Sequence, residues 1–516
     1  MLRRSFHQMF HLFCLVSVAF FMPLSVWLVS VFSLALAVNW ILGLDYRNKT
    51  RILRERKELL LLPALFLMYI IWLINTSFLN QALPELKIKL SLLLFPLFAG
   101  ATGKLSGERF RLIMLSFISG CLIAVIAGYA ALAGLIPVRI SDSRELALFL
   151  PSIRLSILIN LAIFSALYLS VIKKERITII RFMLPVAALV MTVFLFRLLS
   201  VTGIIIFVLA SSISAIYYFA HRENRIMGIA IALTAALAAI VFIRGMTVAW
   251  NKLHKPAEPE INIVSAKTPS GRSYLSLQGE NLVENGYLVW NNVCEEELRR
   301  EWNKRSSISY DSTDNAGNDL RVTLIRYISY LGMKKDSSAV VHLSQSDIQN
   351  VENGFANPLY ADIGNPAAKW YEIAWQIDRH LKGANPSGHS VTQRLEFYKA
   401  AFAIVLKNPV TGTGTGDVRN AFDLQYEASG TPLTPEYRLM AHNQYLTFAI
   451  TFGIPGVILA LILMISPALL ARRRLDYLFV IFLAIIFISM FNDDTFESAI
   501  GTTFFSYFYT LLLLKE

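Results

Sequence analysis

The chain has 516 residues, 55% of them hydrophobic and only 16% charged, with a formal net charge of +12 and a mean hydropathy of +0.52. Soluble domains carry about 25% charged residues, so a soluble enzyme, a disordered chain and a fibrous protein are excluded and a membrane protein is expected. Cys14, Cys121 and Cys294 lie in different regions, too few and too scattered for a disulfide framework, a multi-cysteine zinc site or a cysteine-ligated iron–sulfur cluster.

A spanning helix needs roughly 20 apolar residues. On that length twelve spans are expected, at about 10–23, 25–43, 60–76, 88–102, 110–134, 148–172, 181–197, 200–219, 226–244, 444–470, 475–491 and 499–514, the fourth of them short. The apolar run after Arg3 and Arg4 is longer than a signal peptide's apolar region and a basic stop follows it, so an uncleaved hairpin of two spans joined near Pro23 is expected. Alternating the connections puts twenty-one Lys and Arg on one side and four, Lys87, Lys89, Arg139 and Arg144, in the short loops of the other. By the positive-inside rule both termini are then cytoplasmic.

Residues 245–440 would lie outside, in a bacterium the periplasm. They hold 20 Lys and Arg against 22 Asp and Glu, so the positive excess sits around the spans, a topology signal rather than a nucleic-acid patch. The expected architecture is therefore an all-α polytopic membrane protein: a membrane region 1–244, a mostly helical external domain 245–440, and a membrane region 441–516. Lys255-Pro-Ala-Glu-Pro259 reads as a linker. Residues 295–305 and 323–331 have helical periodicity, and Ser390-Val-Thr-Gln393 reads as a capping box opening a helix that ends at Asn408-Pro409.

Four stretches carry chemistry. In Arg438-Leu-Met-Ala-His442-Asn443, where the external domain re-enters the membrane, a histidine with an ordinary pKa near 6.5 could accept a proton as a general base. Arg438 would be its neighbour on one face if the helix began a turn early; alternatively His442 and Asn443 only satisfy helix-end backbone groups. In His389-Ser-Val-Thr-Gln-Arg394, an arginine in a helix's first turn suits an anion held between guanidinium and helix N-terminus, or a salt bridge to Glu396 or Asp378. Gly412, Gly414 and Gly416 before Asp417 favour a tight structural turn over an anion cradle, and no Walker A sequence follows. In Leu150-Pro-Ser-Ile-Arg154, an arginine about a turn inside the outer boundary is functional or snorkels to the headgroups. Arg197 reads as snorkelling, and Glu497 could pair with one of these arginines. The intramembrane and external candidates Arg154, Arg394, Arg438 and His442 all fall near the outer membrane face. Guanidinium groups there could hold a lipid diphosphate while an imidazole activates a hydroxyl, a scheme that requires no metal.

On these residues the chain resembles the O-antigen ligase and O-antigen polymerase superfamily of bacterial inner membranes. The likeness is sharpest from His389 to Gly456, where Arg394, Asn408-Pro409, Gly412, Gly414, Gly416, His442-Asn443 and Gly453 follow the family's order. Members from Bacteroides and related bacteria are further similar at Glu284-Asn-Gly, Thr323-Leu-Ile-Arg326-Tyr, Pro386-Ser-Gly-His-Ser and Asn492-Asp-Asp-Thr. The resemblance implies inverting, metal-independent glycosyl transfer from an undecaprenyl-diphosphate-linked glycan to a sugar hydroxyl at the periplasmic face, with no cofactor. His442 would be the base, Arg394 and Arg154 diphosphate ligands, and Asn443, His389, Asp417 and Glu497 supporting residues; Arg438 joins the ligands by proximity alone. Many members carry Ser-Arg-Gly where this chain has Ser200-Val-Thr-Gly203, leaving Arg154 or Arg197 to supply that charge.

The expected function is that of an O-antigen ligase acting on a lipid A-core acceptor within membrane lipid, without nucleic acid. A polymerase of the same superfamily and a protein O-oligosaccharyltransferase share the donor chemistry. A flippase or transporter would show internal repeats and broken spans in matched halves, which the sequence lacks.

Overall fold

The computed structural model describes residues 2–43, 45–138, 140, 142–171, 178–220, 225–254, 267–275, 282–471 and 476–516. The linker expected at 255–259 lies outside them. The described residues are mostly helical, and their strands form one two-stranded hairpin, Val283–Glu284 against Tyr287–Leu288.

A helical segment occupies each expected span, but among the described residues seven helices are long and apolar enough to cross a membrane, or eight if the pair Val26–Leu42 and Tyr46–Glu55, bent by 112°, counts as one. The shortfall from twelve has local causes. Phe6–Phe21, Tyr477–Ser489 and Ala499–Leu514 are apolar but shorter. The fourth stretch breaks into a four-residue α-helix at Ser91–Leu94, a π-turn at Phe95–Ala99 and a 3₁₀ turn at Gly100–Thr102, because Pro96 cannot donate to the helical ladder. Their apolar side chains nonetheless belong to one core: Tyr477, Phe482, Phe505, Tyr507 and Phe508 are buried in a cluster that also takes in Phe95, Phe117 and Leu158.

Two compact units emerge, residues 1–239 with 383–516, and residues 240–382. The sequence assigns 383–440 to the external domain; in the structure these residues pack with the membrane helices. The Thr392–Lys407 helix buries Phe397, Ala400, Ala401, Ile404 and Val405 against Phe422, Tyr426, Ala449 and Ile450. The smaller unit has its own core, in which helices Glu295–Arg305 and Leu320–Tyr330, close to the expected boundaries, bury Leu298, Trp302, Leu324, Tyr327 and Ile328.

The Gln444–Leu470 helix is interrupted at Gly453, whose φ of 73° and ψ of 174° are not helical. The glycine loop 408–416 plugs that break. Thr413 N donates to Ile450 O (2.7 Å), Gly414 N to Thr451 O (3.1 Å), and Ile454 N to Pro409 O (2.8 Å). At Gly412, with φ +67°, a Cβ would run into the Thr451 carbonyl, so only glycine lets the two backbones close this far.

Candidate active site

Three segments distant in sequence meet around the loop 490–497. Its Met490 carbonyl accepts from Gln444 N (2.8 Å) and its Phe491 carbonyl from Asn443 Nδ2 (3.0 Å) and Tyr398 Oη (3.3 Å). Asn492 donates to Thr202 Oγ1. Thr447 Oγ1 donates to Asp494 Oδ1 (2.7 Å), and Gln444 bridges the Phe496 N–H (2.7 Å) and Glu497 Oε1 (3.2 Å). The loop thereby fixes the start of the Gln444 helix, the face of the Thr392 helix and the start of the Val201–Ala220 helix relative to one another.

Arg154, in the first turn of Ser152–Val171, reaches this loop rather than the headgroups: Nη1 pairs with Asp493 and Nη2 donates to the Asp494 carbonyl (2.9 Å). Asp493 and Asp494 are almost fully buried. Burial raises the carboxyl pKa of Asp493 against the pull of Arg154 and Arg394, and burial together with Glu497 pushes Asp494 up to about 7.

His442 immediately precedes Asn443, whose side chain caps the helix by accepting from Tyr445 N (3.1 Å) and Leu446 N (3.2 Å). Its φ of 48° is left-handed, a strained setting for a residue with a Cβ. Its ring lies 5.8 Å from that of Phe397, one turn beyond Arg394 on the Thr392 helix. Neither ring nitrogen has a hydrogen-bond partner among the described residues. Burial first, then the charges of Arg394 and Arg154, hold its pKa down at about 4, so the imidazole is neutral near pH 7. These two guanidinium groups are thus the cations His442 feels.

Arg394 occupies the first turn of its helix, as the sequence expects, and is half-buried. Burial lowers its pKa, while Tyr398, Asp493 and Asp494 act in the opposite sense. Among the described residues no carboxylate lies within ion-pair distance of it. Glu396, one candidate partner, is taken by Lys399 (2.6 Å), and Asp378 by Lys382 (2.7 Å) and His254 (3.1 Å).

Several local expectations need correction. The capping box at Ser390–Gln393 does not form: the helix starts at Thr392 after Val391, without a side-chain cap, and the His389 carbonyl accepts from Gln393 N (2.9 Å). Arg438 and His442 are not helix-face neighbours, because the helix begins at Gln444; Arg438 Nε donates to the Leu433 carbonyl (3.2 Å) instead. Glu497 pairs with Lys89, which also binds Glu85, rather than with an arginine. Arg197 ends the Thr178–Arg197 helix near Tyr129.

The glycine loop offers no anion cradle at Thr413 and Gly414, whose N–H groups donate to backbone carbonyls of the Gln444 helix. Asp417 is structural in the same way, accepting from Ser77 N (2.9 Å) and Phe78 N (3.0 Å). In place of the missing Ser-Arg-Gly arginine, Ser200 caps Gly203 N (3.2 Å) and Asn160 Nδ2 reaches the Gly203 carbonyl (3.1 Å). The sequence alone assigned no role to Asp493, Asp494 or Lys89. The available signals were the likeness at Asn492-Asp-Asp-Thr and the acidic pair itself, Asp493-Asp494, at the mouth of two apolar segments, where an unpaired charge is costly.

No curated protein matches the chain. Residues 349–461 match the family model described as O-antigen ligase, a stretch that contains Arg394, the glycine loop and His442. The match spans 113 of the 516 residues and supports membership of the O-antigen ligase and polymerase superfamily.

Proposed function

We propose that the chain is an O-antigen ligase-type glycosyltransferase, moving a glycan from undecaprenyl diphosphate to a lipid A-core sugar at the periplasmic face of a bacterial inner membrane. The observation that carries this reading is that the stretch 349–461, which matches the O-antigen ligase family model, holds an imidazole, His442, without a hydrogen-bond partner among the described residues and packed against Phe397 of the helix that bears Arg394.

In this reading the acceptor hydroxyl gives its proton to His442 as its oxygen bonds to the anomeric carbon, on the side opposite the diphosphate. The bond from that carbon to the phosphate oxygen breaks, and its electron pair leaves on undecaprenyl diphosphate, so the configuration inverts. Arg394 and Arg154 neutralise the charge that develops on the leaving group, and neither a metal nor a cofactor enters the scheme. A bound diphosphate also offsets the two guanidinium charges at His442, so the base strengthens when the donor arrives. Arg438 contributes its terminal amino groups at most, since Nε is engaged. Asn443 and Glu497 hold the helix start, the His389 carbonyl shapes the turn that opens the Thr392 helix, and Asp417 anchors the backbone of Ser77 and Phe78.

Deleting the gene and examining lipopolysaccharide tests this reading, with complementation by native chain and by His442→Ala. Free lipid-linked polymer with bare core, restored by the native chain alone, is the expected result. Core capped with single repeats would make the enzyme a polymerase, and intact lipopolysaccharide with loss of glycan from protein would make it a protein O-oligosaccharyltransferase. Full rescue by His442→Ala would overturn the chemistry and leave a transport role.

A further inference from the structure

The Thr392–Lys407 helix has two apolar faces. The inner one is spent on the core described above. The outer one carries Leu395, Phe402 (57% exposed) and Leu406 (78%), spaced i, i+7 and i+11, and is prolonged by Val410 (65%). A helix lying on an aqueous surface keeps polar residues on that side. Here Lys399 lies within the row, its ammonium turned to Glu396 (2.6 Å), and Lys407 at its end turns to Gln425 (2.7 Å).

The row does not stop at Val410. Ile454 N donates to the Pro409 carbonyl, so Val410 abuts the Gln444–Leu470 helix where Ile454, Ile458, Ile462 and Ile465 are exposed in turn, at spacings of four, four and three. That helix is long and apolar enough to cross a membrane, and its isoleucine row has the character of a surface in contact with acyl chains. The stripe on the Thr392 helix continues it through Val410, with Lys399, Lys407 and Asn408 as the exposed polar residues along its length.

We propose that the Thr392–Lys407 helix is an interfacial membrane helix, with the acyl chains of the outer leaflet covering Leu395, Phe402, Leu406 and Val410. Continuity with the isoleucine row selects lipid as the occupant over a protein partner, and the lysines fit it, since long cationic side chains lay their stems on apolar surface and keep the charge at the headgroups. Such helices sink about 5–10 Å into the boundary between headgroups and acyl chains. Arg394, in the first turn, is then carried at headgroup depth, where lipid phosphates lie.

The test uses the full chain in phosphatidylcholine–phosphatidylglycerol vesicles, with Cys14, Cys121 and Cys294, all buried, changed to alanine. Nitroxides are placed one at a time by Phe402→Cys and Leu406→Cys, with Ile458→Cys as the lipid reference and Ser429→Cys as the aqueous one. Collision with oxygen relative to a water-soluble nickel chelate should be several-fold higher at 402 and 406 than at 429, and similar to that at 458. Values matching 429 would overturn the proposal, as would protection from both reagents, the signature of a protein contact. On the unmodified chain, a phosphatidylcholine bearing a diazirine in its acyl tail should leave adducts between 395 and 410 upon irradiation; adducts confined to the spans would overturn the proposal too. Neither measurement reads glycosyl transfer, so either result leaves the enzymatic reading to its own test.

Discussion

Arg154 and Asp493, 339 residues apart, form a buried ion pair at the N-terminal end of the Ser152–Val171 helix, and a second Arg154 nitrogen binds the neighbouring Asp494 carbonyl. Breaking such a pair by removing one partner leaves an uncompensated charge and costs about 3–5 kcal/mol, whereas removing both can be close to neutral. Arg154→Ala should therefore lower the thermal stability of the purified protein markedly, and adding Asp493→Asn should restore most of it. Glycosyl transfer should stay lost in the double variant, because one of the two guanidinium charges that act on His442 is gone. Recovery of activity along with stability would make Arg154 a structural residue only.

His442 has its own signature. Its ring nitrogens are free of protein partners among the described residues, so His442→Gln removes a base without stranding another group. Transfer in a reconstituted assay should fall by about 10²–10⁴, the usual contribution of general acid–base catalysis, with the melting temperature little changed. Arg394→Lys should retain more activity than Arg394→Ala, since the charge survives while the fork geometry is lost.

The pH dependence follows from the two cations. In the free enzyme His442 titrates at about 4 instead of 6.5, so kcat/KM should be flat from about pH 5.5 to 8 and fall only toward pH 4. Arg394→Gln removes one of the repelling charges, and the acid limb of the residual activity should move to higher pH. A limb that stays in place would separate the two residues. Stability carries the same information. A base with a depressed folded-state pKa contributes stability that is complete above pH 6.5 and is lost as the pH falls toward 4. Asp494, raised from 3.8 to about 7 by burial and Glu497, acts oppositely, losing stability as the pH rises across that interval. Melting curves of native and His442→Gln protein share the Asp494 effect. The variant should therefore gain on the native chain on acidification from pH 6.5 to 4, and parallel curves would contradict the assignment.

What could be read from residue order and what could not divide along a physical line. Arg394 in a first helical turn, helices at 295–305 and near 323–331, and a glycine run that turns tightly before Asp417 are local, set by spacing, capping tendency and backbone freedom within a few residues. The partners of Arg154 and Glu497 are not. Asp493 and Lys89 reach them across 339 and 408 residues, and no periodicity encodes such a pairing. The capping box failed for a related reason: Ser390 and Gln393 have the right spacing, but Val391 and the His389 carbonyl shape the turn instead. Apolar content and helix length part company at Pro96 and in the shorter final helices, where helical segments occupy the expected places without the length of a full span.

Gly453 and Gly412 allow a last prediction that separates scaffold from chemistry. Gly453 has a positive φ, and a Cβ there would collide with the Val410 carbonyl, just as one on Gly412 would collide with Thr451. A side chain at either position must push the loop out of the helix break, at a cost of about 1–3 kcal/mol for backbone strain and more for the clash. The same break holds three backbone hydrogen bonds between the loop and the Gln444 helix, and that helix begins two residues after His442. Gly412→Ala and Gly453→Ala should thus reduce both the yield of folded protein and the transfer rate. Loss of rate should exceed loss of folded protein, because displacement of the helix start moves the imbalance directly to His442 and its distance from Arg394. The measurement is transfer per folded molecule, counted by size-exclusion profile and ligand-free melting temperature. Unchanged turnover per folded molecule in both variants would show that the plugged break stabilises the fold without setting the site's geometry.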